Sequence, residues 1–380
     1  MNELLIQQIA LWPREVRDLL KLPATEGLCL TLVGGAIRDI LLGKGTPSNL
    51  DFEIRPLIKG TDSFVAIKRF QERLQGLGLD VVVCPFGIIR VQTGQFELEF
   101  APPRLEIFGT QRGHKNFDAE FCFEAPYEVA WKRRDFTVNA IGLEISDFEA
   151  LSGCRFINPF DGAKHLEKKE LHLCDKDFSR DPVRFCRAIR FRLSLGFSWG
   201  SDLMKALKNF DLSELSIHYF FSEAARVNYN PSYFELFFEI VSEKKIPLNS
   251  VIAEFALLQK VGEVGVTVKD APSLLAALAQ VKGANVDILN RLGTALGMKK
   301  AESSAVYSLY CALDSLPQGF EKRFRNHLQV NGPSMALGEE ALFDKVLNIV
   351  ILLRRRGGPP ESAFAKKLAS RLHFLREMVP

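Results

Sequence analysis

The chain is poor in the patterns that cysteine usually makes. Its seven cysteines are Cys29, Cys84, Cys122, Cys154, Cys174, Cys186 and Cys311. No two sit at CxxC spacing and the count is odd, which argues against a disulfide framework and against a zinc ribbon. Reduced thiols in a reducing compartment are the plain reading. Long apolar runs are missing too. Nothing reaches the roughly 18 uninterrupted apolar residues of a membrane span. The first residues show no basic segment followed by an apolar one, so no leader peptide is expected. These absences lead us to expect a cytoplasmic protein with no membrane partner. A surplus of one charge sign is also lacking. Lys and Arg number 49 and Asp and Glu 46, a net charge of +3. That excludes a tail-like polycation and leaves room for a local basic groove. The six histidines show no HxxxH or HxxE spacing and no His-Asp dyad, so no metal-dependent phosphohydrolase module is expected.

What is present is ordinary globular material. The 380 residues are 47% hydrophobic and 25% charged, enough for two or three domains with real cores. Phenylalanine stands out, with 30 residues against 6 Tyr and 3 Trp, and reads as core filling.

Periodicity divides the chain. Gly27–Val33 reads as a strand ending in Gly34-Gly35, and a helix follows over Ala36–Leu42. Strands are predicted over Asn49–Ile54, Leu79–Cys84, Ile88–Gln92 and Phe96–Phe100, and a helix over Ser63–Leu74. In Phe96–Phe100 the three apolar residues face one way, and Glu97 and Glu99 the other. From about Asp177 the strand signal fades. Helices are expected over 181–191, 201–209, 231–242, 251–258, 272–281, 286–296, 301–316, 340–354 and 361–378. An α/β head followed by an all-α remainder results.

Three groups of residues carry chemistry. Gly34 and Gly35 after a strand let a backbone approach a polyphosphate, with Arg38 and the free N–H groups of the next helix turned toward the anion. A paired glycine at a turn is common and not specific by itself. Asp51 and Glu53 are two apart in a strand, so both carboxylates share a face. Such a pair repels unless a cation lies between, and Mg²⁺ is commonly held by one or two carboxylates plus substrate phosphates. Glu99, or Glu97, can add a third carboxylate as base or ligand. Asp181 and Arg184 are three apart on a helix, where acceptor and planar donor fork can together imitate a base-pairing edge. Arg184, Arg187 and Arg190 continue as one basic stripe, suited to a triphosphate or an RNA end.

The order GGAIRDILLG, DFE, FELEFAPPRLE, GHKNF, RRDFTVNAI and RDPVRFCRAIRF resembles the class II tRNA nucleotidyltransferases (CCA-adding enzymes) and bacterial poly(A) polymerases. The likeness spans about Leu32 to Phe197. It implies an α+β fold: a polymerase β-like head over 1–142 with a small mixed sheet, then an all-α neck over 143–215, body over 216–316 and tail over 317–380. It implies a triphosphate turn at Gly34, Gly35 and Arg38. Asp51 and Glu53 would hold Mg²⁺. Arg134, Asp135 and Asn139 would read the ribose, and Asp181 and Arg184 the base. The implied activity is addition of C and/or A from CTP and ATP to the 3′ end of tRNA, held at its acceptor end, with no obligate protein partner. Poly(A) synthesis, partial CC or A addition, and a catalytically degenerate RNA-binding relative are the alternatives.

Three residues depart from the family's pattern. Its metal pair is usually Asp-x-Asp, whereas the second acid here is Glu53; the extra methylene would lower turnover or shift preference toward Mn²⁺. Arg180 precedes Asp181 where an acid is usual, and Arg55 follows the metal strand where a small residue is usual. In the tail, Arg354–Arg356, Lys366, Lys367, Arg371 and Arg376 are candidate phosphate contacts.

Overall fold

The computed structural model describes residues 2–298, except 61, 109–116, 149, 150, 152, 265–267 and 280. The three helices expected after residue 300 and the tail's basic residues lie outside the described residues.

The chain divides into two units: residues 1–184 with 195–210, and residues 185–194 with those from 211 on. In the first unit, helices α1 (Asn2–Ala10) and α2 (Arg14–Thr25) precede β1 (Leu28–Val33) and α3 (Gly35–Leu41). Then come β2 (Asn49–Pro56), α4 (Ser63–Gly76), β3 (Val81–Cys84), β4 (Ile88–Thr93) and β5 (Phe96–Ala101). The strands β6 (Arg104–Phe108) and β7 (Phe117–Phe121) pair with each other, and α5 (Tyr127–Ala130), β8 (Gly142–Ile145) and β9 (Arg155–Ile157) follow. Last are α6 (Gly162–Lys168), β10 (Glu170–Leu171), β11 (Ser198–Trp199) and α8 (Ser201–Leu207), while α7 (Val183–Leu195) has its residues 185–194 in the second unit.

Seven strands form one mixed sheet in the order β3-β4-β5-β2-β1-β8-β9. Only β2 and β5 run parallel; the other neighbours are antiparallel. The expected small mixed sheet is thus observed, but β8 and β9 carry it beyond residue 142, and with β10 and β11 they put strands in the segment over 143–215 that was expected to be all-α. Alternation gives it two unlike faces. Leu50, Phe52 and Ile54 of β2 and Phe96, Leu98 and Phe100 of β5 are buried. Phe52 stacks on Phe100 at 5.4 Å, and Phe70 of α4 meets Phe100 edge-on at 5.0 Å. The Asp62 carboxylate starts α4 by accepting from the Phe64 and Val65 amides. The opposite face carries Asn49, Asp51 and Glu53, with Glu97 and Glu99 beside them. The parallel register sets Asn49 against Glu97 and Asp51 against Glu99.

Trp131 covers part of that polar face and is fully buried. It fits because Gly142 has no side chain. A Cβ there would stand 2.7 Å from the indole and 3.0 Å from the Leu32 carbonyl oxygen.

The described part of the second unit is helical: α9 (Ile217–Ala225), α10 (Pro231–Lys244), α11 (Ser250–Ala253), α12 (Ala271–Ala279) and α13 (Val286–Ala295). Ser216, Asn230, Asn249 and Asn285 cap α9, α10, α11 and α13 with side-chain oxygens. Phe220, Phe221, Phe234, Phe237, Phe238 and Phe255 form its core, several of them edge-on. The single helix expected over 251–258 is instead the short α11 followed by a 3₁₀ turn over Ala256–Lys260.

Gly142→Ala is expected to cost about 1–3 kcal/mol, because neither the indole nor the backbone can retreat freely. Chemical denaturation measures this, and an unchanged midpoint would contradict the packing described.

Candidate active site

The strand β1 ends at Gly34, whose φ of +85° and ψ of −136° suit glycine alone. A Cβ at Gly34 would lie 3.4 Å from an Arg134 guanidinium nitrogen, 3.6 Å from Asp51 Oδ2 and 3.9 Å from the Asn139 carbonyl oxygen. This turn is therefore where β1, β2 and the RRDFTVNA segment meet. Gly35 opens α3, with the Arg38 guanidinium 3.5 Å from where its Cβ would be.

Arg38 is buried and faces inward. Its guanidinium donates to both Asp39 carboxylate oxygens at 2.9 and 2.8 Å and to Asn139 Oδ1 at 2.6 Å. Asn139 Nδ2 in turn donates to Asp135 Oδ1 at 2.9 Å, which also accepts from the Phe136 amide at 2.8 Å. Asp135 and Asn139 are 8% and 6% exposed, so this chain is interior and fixes the turn rigidly. Arg134 donates to the Asn139 carbonyl at 3.3 Å and lies 5.3 Å from the Trp131 ring centroid. The structure thus brings together Gly34, Gly35, Arg38, Asp51, Arg134, Asp135 and Asn139. It spends Arg38 on the framework, where the sequence suggested a triphosphate contact.

Asp51 is open to solvent at the edge of this turn. Protein crowds it on its inner side, and that desolvation raises its pKa. The Arg134 charge opposes the rise, the Glu99 and Glu97 charges add to it, and Arg90 opposes it. Glu99 accepts from Arg90 at 3.0 Å, and the same guanidinium lies 3.3 Å from Glu97. Glu99 is the register partner of Asp51, and Glu97 that of Asn49.

Glu53 does not share Asp51's exposure. Only 1% exposed, it lies under Trp131. One carboxylate oxygen accepts from Arg55 Nε at 2.8 Å with Nη2 also at ion-pair distance, and the other accepts from Trp131 Nε1 at 2.9 Å. The face predicted for the two acids is right; the depth is not, because Trp131 closes over one of them.

The family model described as the Poly A polymerase head domain matches residues 30–172. Residues 30–172 of this chain are therefore similar to that head domain. Among curated relatives, the "A-adding tRNA nucleotidyltransferase" of Aquifex aeolicus is 32% identical over 181 residues, 47% of this chain and 20% of that protein. A "CCA-adding enzyme" of Buchnera aphidicola is 29% identical over 238 residues, 60% of this chain and 51% of that one. The chain thus spans at most about half the length of these relatives. The Bacillus stearothermophilus CCA-adding enzyme, solved in complex with CTP, aligns over 95% of this chain and 82% of its own. Its TM-score is 0.58 at 18% identity, which speaks for the fold.

In the first unit, the pair expected to read the base is partly committed to structure. Asp181 Oδ1 accepts from the Val183 amide at 2.9 Å, and Asp181 Oδ2 lies 3.9 Å from Arg184 Nε. Arg184, 6% exposed, donates to the Arg133 carbonyl at 2.5 Å and so ties the start of α7 to the RRD segment. Arg187 and Arg190 belong to the second unit. There Arg190 pairs with the buried Glu223 and lies over the Phe191 ring. Arg190, expected at a triphosphate, has its guanidinium paired with Glu223 in this structure.

Sequence reasoning passed over Arg104 and Arg133. The Nε atoms of Arg104, Arg133 and Arg134 are buried with no hydrogen-bond partner. Burial and the charges of Arg134 and Arg104 push the Arg133 pKa down to about 10. Unsatisfied guanidiniums crowded together favour a bound anion. The RRD motif was the signal for Arg133, and PPR for Arg104.

A two-cation clamp on Asp51 and Glu53 does not fit these residues. Glu53 is turned from solvent and bonded to Arg55 and Trp131. Among the described residues no group of three or more His, Cys, Asp or Glu is arranged to hold a metal ion. No helix among them is long and apolar enough to cross a membrane.

The raised Asp51 pKa has a stability consequence. The folded protein holds that proton more tightly than the unfolded chain, so the ionised form costs stability at neutral pH and costs nothing once pH falls below the ordinary Asp range. Asp51→Asn is expected to raise Tm modestly at pH 7, with the gain vanishing toward pH 3. A lower Tm at pH 7, or a gain unchanged at pH 3, contradicts this electrostatic reading.

Proposed function

We propose that the chain is a template-independent RNA nucleotidyltransferase that adds C and/or A from CTP and ATP to the 3′ end of tRNA. One observation carries the reading. Gly34, Asp51, Arg134 and Asn139 converge within van der Waals reach of a single turn, in a segment similar to the Poly A polymerase head domain. The glycine leaves the backbone accessible, and Arg133 and Arg134 keep buried Nε atoms with no hydrogen-bond partner, which suits a polyphosphate; Arg104 nearby is already paired with Glu106.

In this reading the RNA 3′-hydroxyl attacks the α-phosphorus, a new phosphodiester forms, and pyrophosphate leaves with the broken bond's electrons. Arg134 and Arg133 offset the triphosphate charge. Asp51 and Glu99 receive or orient the hydroxyl proton. Asp135 and Asn139 set the ribose edge of the pocket, and Asp181 with Arg184 select the base through acceptor and donor. The neck, body and tail over 143–215, 216–316 and 317–380 hold the acceptor arm. Relatives solved with CTP, and with a primer tRNA and an ATP analogue, support this assignment of substrates. The metal expected for such chemistry, Mg²⁺ or Mn²⁺, has one open carboxylate on β2, that of Asp51.

The position of Glu53 favours a second reading, in which the head binds a nucleotide and an RNA end without transfer. Labelled CTP and ATP, offered singly and together with tRNAs lacking CCA, CA or A, decide between them. The proposal expects one to three residues added, ending at CCA. Long A tracts without C indicate a poly(A) polymerase. No incorporation with Mg²⁺ or Mn²⁺, despite measurable CTP binding, establishes the second reading.

A further inference from the structure

The environment of Glu53 assigns it a role other than the one its position in the motif suggests. A carboxylate 1% exposed is stable only when paired. Arg55 supplies the pairing, and its guanidinium is itself only 12% exposed. The same guanidinium donates to the carbonyls of Phe123 at 3.3 Å and Ala125 at 2.5 Å, and lies 4.2 Å from the Tyr127 ring centroid. Tyr127 is bonded to Thr31 on β1 at 2.6 Å and to Glu144 on β8 at 2.7 Å. On its other side Glu53 holds the indole of Trp131, and Arg134 rests over that ring. Arg133, with no carboxylate pair of its own among the described residues, feels the Glu53 charge. One carboxylate therefore joins the middle of β2 to segment 123–127 and to the wall of the nucleotide turn.

We infer that Glu53 is a positioning residue and not a metal ligand: with Arg55 it forms a buried strut that sets Trp131, and through Trp131 the Arg134 guanidinium, at the nucleotide turn. Asp51 is left as the one acid of the DFE segment that can meet a cation. The inference rests on the proposed function only in using a divalent cation and CTP as probes, and none of its readouts requires turnover.

Glu53→Asp separates the two roles. A metal ligand shortened to Asp would recreate the usual Asp-x-Asp pair and bind metal as well or better. A strut shortened by one carbon, about 1.5 Å, cannot reach Arg55 and Trp131 together. We expect Glu53→Asp to lower Tm by about 5 °C or more, to leave Mn²⁺ affinity (measured by electron paramagnetic resonance) within about twofold, and to weaken CTP binding measured without metal. That last change reports Arg134 placement, which a remote stability loss would not move while the protein is folded. Arg55→Gln provides a second arm, since it frees Glu53. It is expected to lower Tm and to gain no Mn²⁺ affinity. Asp51→Asn is expected to lose Mn²⁺ binding while staying folded. Tighter Mn²⁺ binding by fivefold or more in either Glu53→Asp or Arg55→Gln overturns the assignment, as does an unchanged Tm in both. A wild type that binds no Mn²⁺ supports it when Arg55→Gln binds none either. If the wild type binds none and Arg55→Gln binds it, the assignment fails.

Discussion

The head depends on one buried negative charge. Glu53 sits beneath Trp131 among guanidiniums, and a buried ion without a partner would cost several kcal/mol. Arg55 and the indole N–H satisfy it. The consequence is mechanical as much as electrostatic. With Glu53 fixed, Trp131 packs against Gly142, the RRD segment is held against the end of β1, and Gly34 can pass between Arg134 and Asp51. The Asp39–Arg38–Asn139–Asp135 chain fixes the same turn from the other side. Both networks are interior and polar, so both are rigid only while every member is paired.

Much of this fold was legible in the sequence. Phe96, Leu98 and Phe100 alternate with Glu97 and Glu99, and the burial of β5 alternates in step. The strand–GG–helix pattern located β1, Gly34 and α3 within a residue or two. The pairs β6–β7 and β8–β9 were missed because strands of three to five residues are too short to show a clear alternation. The helix expected over 251–258 breaks after Ala253, where local periodicity gave no punctuation.

The site was legible in membership and less so in role. A strand's period of two correctly places Asp51 and Glu53 on one face. It says nothing of what lies above each of them, and Trp131, 78 residues on from Glu53, decides that. Arg55 could be seen as unusual, and its partner only in the fold. Arg190 is the same lesson in the second unit: a stripe at helical spacing suggested an RNA end, and a buried Glu223 from α9 claims one of its members. The surplus of Phe is accounted for in both units, by the Phe52–Phe100–Phe70 stack and by the aromatic core around Phe220.

The motif's two acids have parted company, Asp51 to the open site and Glu53 to the framework. Anomalous difference density from a crystal soaked with Mn²⁺ and CTP tests it most directly. The account predicts a peak within coordination distance of Asp51, with the Glu53 carboxylate still against Arg55 and the indole of Trp131. A peak bridged by Asp51 and Glu53, with Arg55 displaced, would contradict it.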